Sequence, residues 1–552
     1  MSTHILLGDE ALALGAIHAG LTAAYGYPGT PSTEIMEYLL DKAANVGIVA
    51  QWCANEKTAY EEALGTSFAG CRVLVTMKHV GLNVAADPFM NSALLNIKGG
   101  LVVVVADDPS MHSSQNEQDS RYFADFAKIV CLEPTNQQEC YDICRQAFEL
   151  SEELHQPVMI RLVTRLSHSR ASITDAPARA KNTSSKATDK QNWMLIPALA
   201  RKRWDHVLSI QSKVVALSEA SQWNPLHLPG KAKVGYLCTG LGYNYFRENL
   251  VEMASPGHIP YLQIAQYPLP VDKIRRLAAS VQTIVVLEEG YPLVERLLKG
   301  ILPQEIAIKG KLDGTVPASG ELTPENIRPA MGLPVLDCRS LGLADGEGGC
   351  RDLADAPLPN RPPQLCKGCP HGDSYQAIKD ALADYPDGLV TADIGCYALG
   401  VLPPYAVPET IICMGASIGV AKGASEAGYK HAVAVIGDST FYHSGITPLI
   451  DAVSAKTQLT LIILDNSTVG MTGGQETILS GARLPGIIAA IGVDPAHIRV
   501  VDALPKNRAA NAAIIREEIA FTGVSVVIAV RECLETIRKH KPAKPASPEA
   551  HS

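Results

Sequence analysis

The sequence predicts an α/β fold built on doubly wound parallel sheets, and three observations carry that prediction. Residues 432–436 (Ala-Val-Ala-Val-Ile) are a continuous apolar run that ends in Gly437-Asp438-Ser439-Thr440, and residues 459–465 repeat the pattern just before Asn466. Residues 73–77 and 101–106 are further apolar runs, set among helical patterns. A third strand–helix pattern, smaller, has its clearest strands at 234–238 and 283–287. Continuous apolar runs, rather than alternating ones, are what strands covered on both faces require.

Taken in order, residues 1–170 alternate helix and strand patterns and read as a first domain. Residues 171–230 are polar, include Asn182-Thr183-Ser184-Ser185-Lys186, and read as a linker with some helix. Trp193 and Trp204 within it are expected to pack on a neighbouring domain. Residues 231–355 hold the smaller α/β pattern and end in a Gly/Asp/Pro-rich stretch, 342–363, expected as an exposed connection. Residues 356–540 read as the last α/β domain, closing with a strand at 524–530 and a short helix. Residues 541–552, rich in Lys, Pro and Ala, read as a disordered tail.

A length of 552 residues suggests roughly three or four domains. With 47% hydrophobic and 19% charged residues, large buried cores can form. The net charge of −9 excludes general nucleic-acid binding, which needs a basic face. No apolar run approaches the roughly 20 residues of a membrane span. The first ten residues lack the basic region of a signal peptide, so a cytoplasmic protein is expected, with its 13 cysteines reduced or bound to metal.

The two apolar strands 432–436 and 459–465 carry the strongest chemical signal. Asp438 and Asn466 fall at their carboxyl ends, with 26 residues between Ser439 and Asn466. A hard cation that holds a diphosphate takes oxygen ligands of this kind. Ligands of open α/β sheets gather at such strand ends, where turn and helix N–H groups receive phosphate oxygens. Gly437 permits close backbone approach. For either residue alone, a strand-to-helix turn explains the pattern as well; the spacing and both strands together resemble the thiamine diphosphate motif.

Glu56 is the second candidate. It follows Trp52-Cys53-Ala54-Asn55 and opens an Ala/Gly-rich segment, 58–70, that reads as a tightly packed helix. Thiamine chemistry needs a carboxyl group to share a proton with the aminopyrimidine ring, and an apolar pocket suits that task. An acidic residue in a first helical turn is also common simply because the helix dipole favours it. The third candidate is Cys366-Lys367-Gly368-Cys369-Pro370-His371 together with Cys396. An iron–sulfur cluster normally needs four thiolates, and Cys413 is the nearest further cysteine in sequence. A zinc site lacks a second cysteine pair. Cys71, Cys131, Cys140 and Cys144 are expected as buried thiols.

Several long runs resemble the alpha subunit of indolepyruvate ferredoxin oxidoreductase. They are 27–32 (Tyr-Pro-Gly-Thr-Pro-Ser), 55–57, 77–88, 112–121, 311–314, 393–397, 413–419 and 437–445, in matching order from residue 1 to about 535. The resemblance implies a pyrimidine-binding thiamine domain, a transketolase C-terminal-like domain and a diphosphate-binding thiamine domain. Glu56 becomes the activating carboxylate, with Thr30, Lys78 and His79 at the substrate end. Asp438, Asn466 and the Thr468 carbonyl become Mg²⁺ ligands. Gly395, Cys396, Met414, Gly415, Gly437, Ser439, Thr440, Val469, Gly470 and Met471 surround the diphosphate and thiazolium. Cys366, Cys369 and Cys396 resemble ligands of a proximal [4Fe–4S] cluster.

The implied activity is oxidative decarboxylation of aryl 2-oxo acids, with coenzyme A accepting the acyl group. A smaller beta subunit and an electron-accepting ferredoxin or flavoprotein are implied partners, in a hetero-oligomer with two copies of this chain. A non-oxidative 2-oxo acid decarboxylase and a non-catalytic cofactor-binding subunit are the alternatives. Two departures stand out. The family usually ends in a ferredoxin-like module with two CxxCxxCxxxCP runs, where this chain has its Lys/Pro/Ala tail, so the clusters are expected on a partner, or the acceptor differs, or no electrons leave. The family's CPGCPHR reads here as Cys-Lys-Gly-Cys-Pro-His371-Gly, which loses an arginine close to the expected site.

Overall fold

A computed structural model describes residues 2–185, 189–335, 363–479 and 481–540. Most of the expected connection at 342–363 and the tail at 541–552 lie outside the described residues. The chain divides into two compact units, Met1–Leu358 and Pro359–Ser552.

In the first unit, β1 (Thr3–Leu7) opens the chain, and β2 (Ala23–Gly26), β3 (Val49–Trp52), β4 (Val73–Lys78), β5 (Leu101–Asp107), β6 (Cys131–Leu132) and β7 (Val158–Val163) follow. β8 (Arg170–Thr174) pairs antiparallel with β1. β2 to β7 form one parallel sheet in the order β3-β2-β4-β5-β7-β6. Every residue of β4, β5 and β7 is buried, as continuous apolar runs require. Successive side chains point to opposite faces, so Val102 and Val104 enter one core layer and Val103 and Val105 the other. The helices Gly8–His18 and Gln137–Leu154 cover the first face, and Glu56–Phe68 covers the second. Cys71, Cys131, Cys140 and Cys144 are buried free thiols, as expected.

The polar stretch after β8 carries the helices Pro197–Ser209 and Gln211–Ala220. Trp193 packs edge-on against Phe68 at 4.9 Å, whereas Trp204 stays exposed. The smaller sheet follows: β9 (Leu226–His227), β10 (Val234–Thr239), β11 (Tyr261–Ile264), β13 (Thr283–Leu287) and β14 (Ala307–Lys309), ordered β14-β13-β10-β11-β9. Between them, β12 (Gln266–Tyr267) leaves this sheet and pairs antiparallel with β6, completing the edge of the larger one. A buried ionic network ties the same region together. Arg161 pairs with Asp107 at 2.6 Å and with Glu133, while Arg121 pairs with Asp119 at 2.5 Å and reaches Tyr267 Oη at 3.2 Å and the Glu289 carbonyl at 3.1 Å.

The second unit contains β15 (Leu389–Ala392), β16 (Thr410–Ile411), β17 (Ala432–Gly437), β18 (Leu459–Asp465), the short antiparallel pair β19 (Thr468–Val469) and β20 (Gln475–Glu476), β21 (Ile498–Asp502) and β22 (Val524–Val530). Its six-stranded parallel sheet is ordered β16-β15-β17-β18-β22-β21. Numbered by their own chain order, both large parallel sheets read 2-1-3-4-6-5. The direction of winding reverses between β2 and β4 in one, and between β15 and β17 in the other. Such reversals open the crevice where doubly wound sheets bind ligands. Among the described residues no helix is long and apolar enough to cross a membrane.

Candidate active-site residues and a cysteine cavity

In the first unit the candidates lie on loops after β2, β3 and β4, around the reversal point. Asn55 caps the helix Glu56–Phe68 by accepting from Thr58 N at 2.9 Å, which fixes Glu56 in the first turn. Glu56 is buried. Its carboxyl group lies against Gly81, where an added Cβ would come within 2.5 Å of Glu56 Oε1. A side chain at residue 81 would have to displace that carboxyl group.

Lys78 ends β4 and is buried; its Nζ donates to Ser113 O at 2.9 Å. Burial lowers its pKa to about 8, against a smaller opposing pull from Asp108. Ser113 Oγ donates to Thr30 O at 3.4 Å, so the loop after β5 links Thr30 to Lys78. Asp108 holds that loop by accepting from Ser113 N at 2.8 Å and Ser114 Oγ at 2.5 Å. Those bonds hold its carboxyl below the usual range against the opposing effect of burial. His79, 1% exposed, places Nε2 3.2 Å from both Asn116 O and Asn116 Oδ1. Thr30, Lys78 and His79 thus share one loop system, and Glu56 packs against Gly81, two residues beyond His79. Asp108 was missed in the sequence, and Ser113 was seen only as part of the run 112–121, because their role is to orient this loop through contacts.

In the second unit Asp438 starts a short helix after β17, and Asn466 follows β18, the neighbouring strand. Ser467, with φ of +58°, turns the chain so that its N–H meets Asp438 Oδ2 at 3.1 Å and Asp465 Oδ1 at 3.0 Å. Burial, and then the neighbouring Asp465 carboxylate, push the Asp438 carboxyl well above the usual range. Asp438 and Asp465 are buried carboxyl groups at the ends of neighbouring strands, with Asn466 next in the chain, and such oxygen donors are of the kind a hard divalent cation takes. Thr468, also buried, is held through Oγ1 donating to Gln475 O at 3.0 Å.

The diphosphate candidates fit a close-approach surface. Gly415, at φ +80°, would carry a Cβ 2.5 Å from Ser444 Cβ. Gly395 and Gly437 both pack on the Tyr397 ring, which a Cβ would meet at 2.3 and 2.7 Å. Tyr397 donates to Asp393, which also accepts from Ser417 Oγ at 2.6 Å. Thr440 Oγ1 donates to Ile394 O at 3.2 Å, while Ser439 Oγ is buried with no hydrogen-bond partner among the described residues. An orphaned hydroxyl beside crowded glycines suits an anionic oxygen. Met414 is half-buried and Met471 is 50% exposed, with Val469 and Gly470 between Thr468 and Met471.

A cavity of about 280 Å³ in this unit brings Cys366, Cys369, Cys396 and Cys533 together, beside His371 and Asn466. Cys413, the sequence's candidate for a fourth thiol, is instead exposed and does not line it. The reason is topological. β22 lies parallel beside β18, so the residues after it return to the same sheet edge as Asn466. Arg531 N donates to Asp465 O at 3.0 Å and Cys533 N to Asn466 O at 3.2 Å. Burial, then the other three cysteines, push the Cys396 thiol up to about 12. Cys369 is the N-cap of the helix Pro370–Leu382, and Gly372 N donates to its carbonyl oxygen at 3.0 Å. Tetrahedral zinc holds thiolates about 3.8 Å apart. Among the described residues, no three of these cysteines have sulfurs within 4.8 Å of one another.

Two family models match this chain, one in each unit. The family described as "Pyruvate flavodoxin/ferredoxin oxidoreductase, thiamine diP-bdg" matches residues 14–203, and "Thiamine pyrophosphate enzyme, C-terminal TPP binding domain" matches residues 393–527. These define the class: a thiamine diphosphate-binding 2-oxo acid oxidoreductase subunit with two thiamine-type sheets. "Indolepyruvate oxidoreductase subunit IorA" of Archaeoglobus fulgidus is 37% identical, across 96% of this chain and 86% of its own length. The IorA subunit of Pyrococcus abyssi is 36% identical, across 96% and 85%. The chain belongs to the indolepyruvate oxidoreductase IorA family. A solved 2-oxoglutarate:ferredoxin oxidoreductase from Magnetococcus marinus aligns with a TM-score of 0.47 at 17% identity, over 56% of this chain and 62% of that one.

Proposed function

We propose that this chain is the thiamine diphosphate-binding subunit of an enzyme that oxidatively decarboxylates aryl 2-oxo acids of the indolepyruvate kind to acyl-CoA. The observation that carries this reading over a simple decarboxylase is the four-cysteine cavity, which shares Asn466 with the cation-binding loop. A decarboxylase returns its electrons to a proton and has no use for four thiols there.

Thiamine diphosphate, when bound, supplies the nucleophilic carbon that attacks the 2-oxo group and the electron sink for loss of carbon dioxide. In the first unit, residues 1–170 serve the pyrimidine end. Glu56 shares a proton with the aminopyrimidine from its buried position against Gly81. Lys78 and Thr30 receive the substrate carboxylate, and His79 holds the loop that closes over it. In the second unit, residues 356–540 serve the diphosphate end. Asp438, Asn466 and the Thr468 carbonyl hold Mg²⁺, and Gly395, Cys396, Met414, Gly415, Gly437, Ser439, Thr440, Val469, Gly470 and Met471 frame the diphosphate and thiazolium. Residues 231–355 are the transketolase C-terminal-like domain in this scheme, with residues 171–230 leading into it.

Cys366, Cys369, Cys396 and Cys533 hold a [4Fe–4S] cluster, which supplies one-electron carriage. The two electrons of oxidation leave to a partner protein, a ferredoxin or flavoprotein, and a smaller beta subunit completes a hetero-oligomer with two copies of this chain. Eleven free thiols among the described residues suit a reducing compartment, and the cytoplasm is the proposed location.

The test is incubation of the anaerobically purified complex with an arylpyruvate, coenzyme A and a viologen dye. Acyl-CoA with reduced dye is the expected result. Aldehyde without dye reduction refutes the oxidative reading. Iron analysis adds a second measure, with about four irons per chain expected.

A further inference from the structure

An asparagine serves a cation only through its oxygen. Its amide turned by half a circle presents an NH₂ group, which repels the ion. Something must therefore decide which way Asn466 faces. The main chain at this residue is already fixed, since Cys533 N donates to Asn466 O at 3.2 Å. The side chain has two neighbours. Thr468 N donates to Asn466 Oδ1 over a long 3.3 Å, and His371 Nε2 lies 3.2 Å from Asn466 Nδ2.

His371 is well placed to act on that amide. It is 3% exposed, stands in the first turn of the helix Pro370–Leu382, and meets the Tyr397 ring edge-on at 6.1 Å. Nε2 faces the Asn466 amide nitrogen, a donor, at 3.2 Å, and a donor at that distance is matched by an unprotonated ring nitrogen acting as acceptor. With Nε2 as that acceptor, a reversed amide sets lone pair against lone pair across the contact.

We infer that His371 is a positioning residue: its Nε2 accepts a hydrogen bond from Asn466 Nδ2 and so aims Asn466 Oδ1 at the cation. The inference rests on Asn466 being a cation ligand. It also gives the histidine a role that its place in the Cys-Lys-Gly-Cys-Pro-His run does not reveal. The ring lines the cysteine cavity on one side and orients a ligand of the neighbouring cation on the other.

The test is a Mg²⁺ titration of the full chain at fixed thiamine diphosphate, followed by calorimetry. His371→Leu removes the acceptor and is expected to raise the Mg²⁺ needed for half-saturation about tenfold, the scale of one lost buried hydrogen bond. His371→Gln restores an acceptor oxygen and is expected within about twofold of the natural chain. In an Asn466→Asp background either terminal atom is an oxygen, so no flip can turn a donor on the ion, and adding His371→Leu is expected to cost far less than tenfold. A tenfold loss persisting in that background overturns the inference, as does equal loss in the Leu and Gln chains. Asp438→Asn separates this from the underlying reading. If it abolishes saturable binding while His371→Leu behaves as the natural chain, the inference fails and the cation site stands. If Asp438→Asn binds normally, the cation site itself is wrong.

Discussion

At the scale of single residues, the chemistry depends on where charge is allowed to sit. Glu56→Gln keeps the size of the buried side chain and removes its proton exchange. Turnover of the 2-oxo acid is expected to vanish while thiamine diphosphate binding, measured by calorimetry, survives; unchanged turnover rules out the proposed role. Lys78 offers a pH signature. Burial holds its pKa at about 8, below the ordinary lysine value, so the cation is present below that pH and lost as pH rises through it. KM for the 2-oxo acid is expected to climb above about pH 8, and Lys78→Met to show a raised KM at all pH values. A flat KM profile between pH 7 and 9 removes Lys78 from substrate binding. Both residues were legible in the sequence only through the family-like runs around them. Gly81 and Ser113 lie in those same runs, but their contacts, and Asp108 altogether, were not legible, because spacing does not encode which side chains meet.

At the scale of elements, the strands were the readable part. The runs at 73–77, 101–106, 432–436 and 459–465 are buried strands because their apolar residues are continuous, and each falls within a strand of the fold. The helix at Glu56 was likewise visible from its small residues, and the Asn55 cap emerged from the structure. The fourth cysteine was not. Cys533 is separated from Cys396 by most of the second unit, and only the placement of β22 beside β18 returns it to the cavity. Cys413 looked nearer because sequence distance was the sole measure available. The two cysteines make a clean comparison: Cys533→Ser is expected to lower iron content and the cluster's visible absorbance in anaerobically purified protein, and Cys413→Ser to leave both unchanged. Equal iron in the two variants removes Cys533 from the ligand set.

At the scale of the whole molecule, two sheets of one winding order carry the thiamine chemistry, and the ionic network in the first unit is the feature the sequence concealed. Charged residues spread from position 107 to 161 gave no hint that they meet in a dry interior. Arg161 is fully buried between Asp107 and Glu133. Arg161→Ala leaves those carboxylates without their counter-charge and is expected to cost about 3–5 kcal/mol, read from the denaturant midpoint of the first unit's transition. A loss under about 1 kcal/mol, the value of an exposed pair, contradicts the burial argument.

The pairing of β12 with β6 has a consequence in time. A growing chain can assemble the strands up to Val163 soon after they are made, but the edge at Cys131–Leu132 finds its partner only once residues 266 and 267 have been synthesised. At about 5–20 residues per second, the interval of roughly a hundred residues lasts some seconds. During it the nascent sheet presents an open apolar border, the kind of surface on which neighbouring chains on one message stick to each other. Slower synthesis across residues 164–267 is expected to lengthen that exposure and to raise the aggregated fraction without changing the stability of the finished fold.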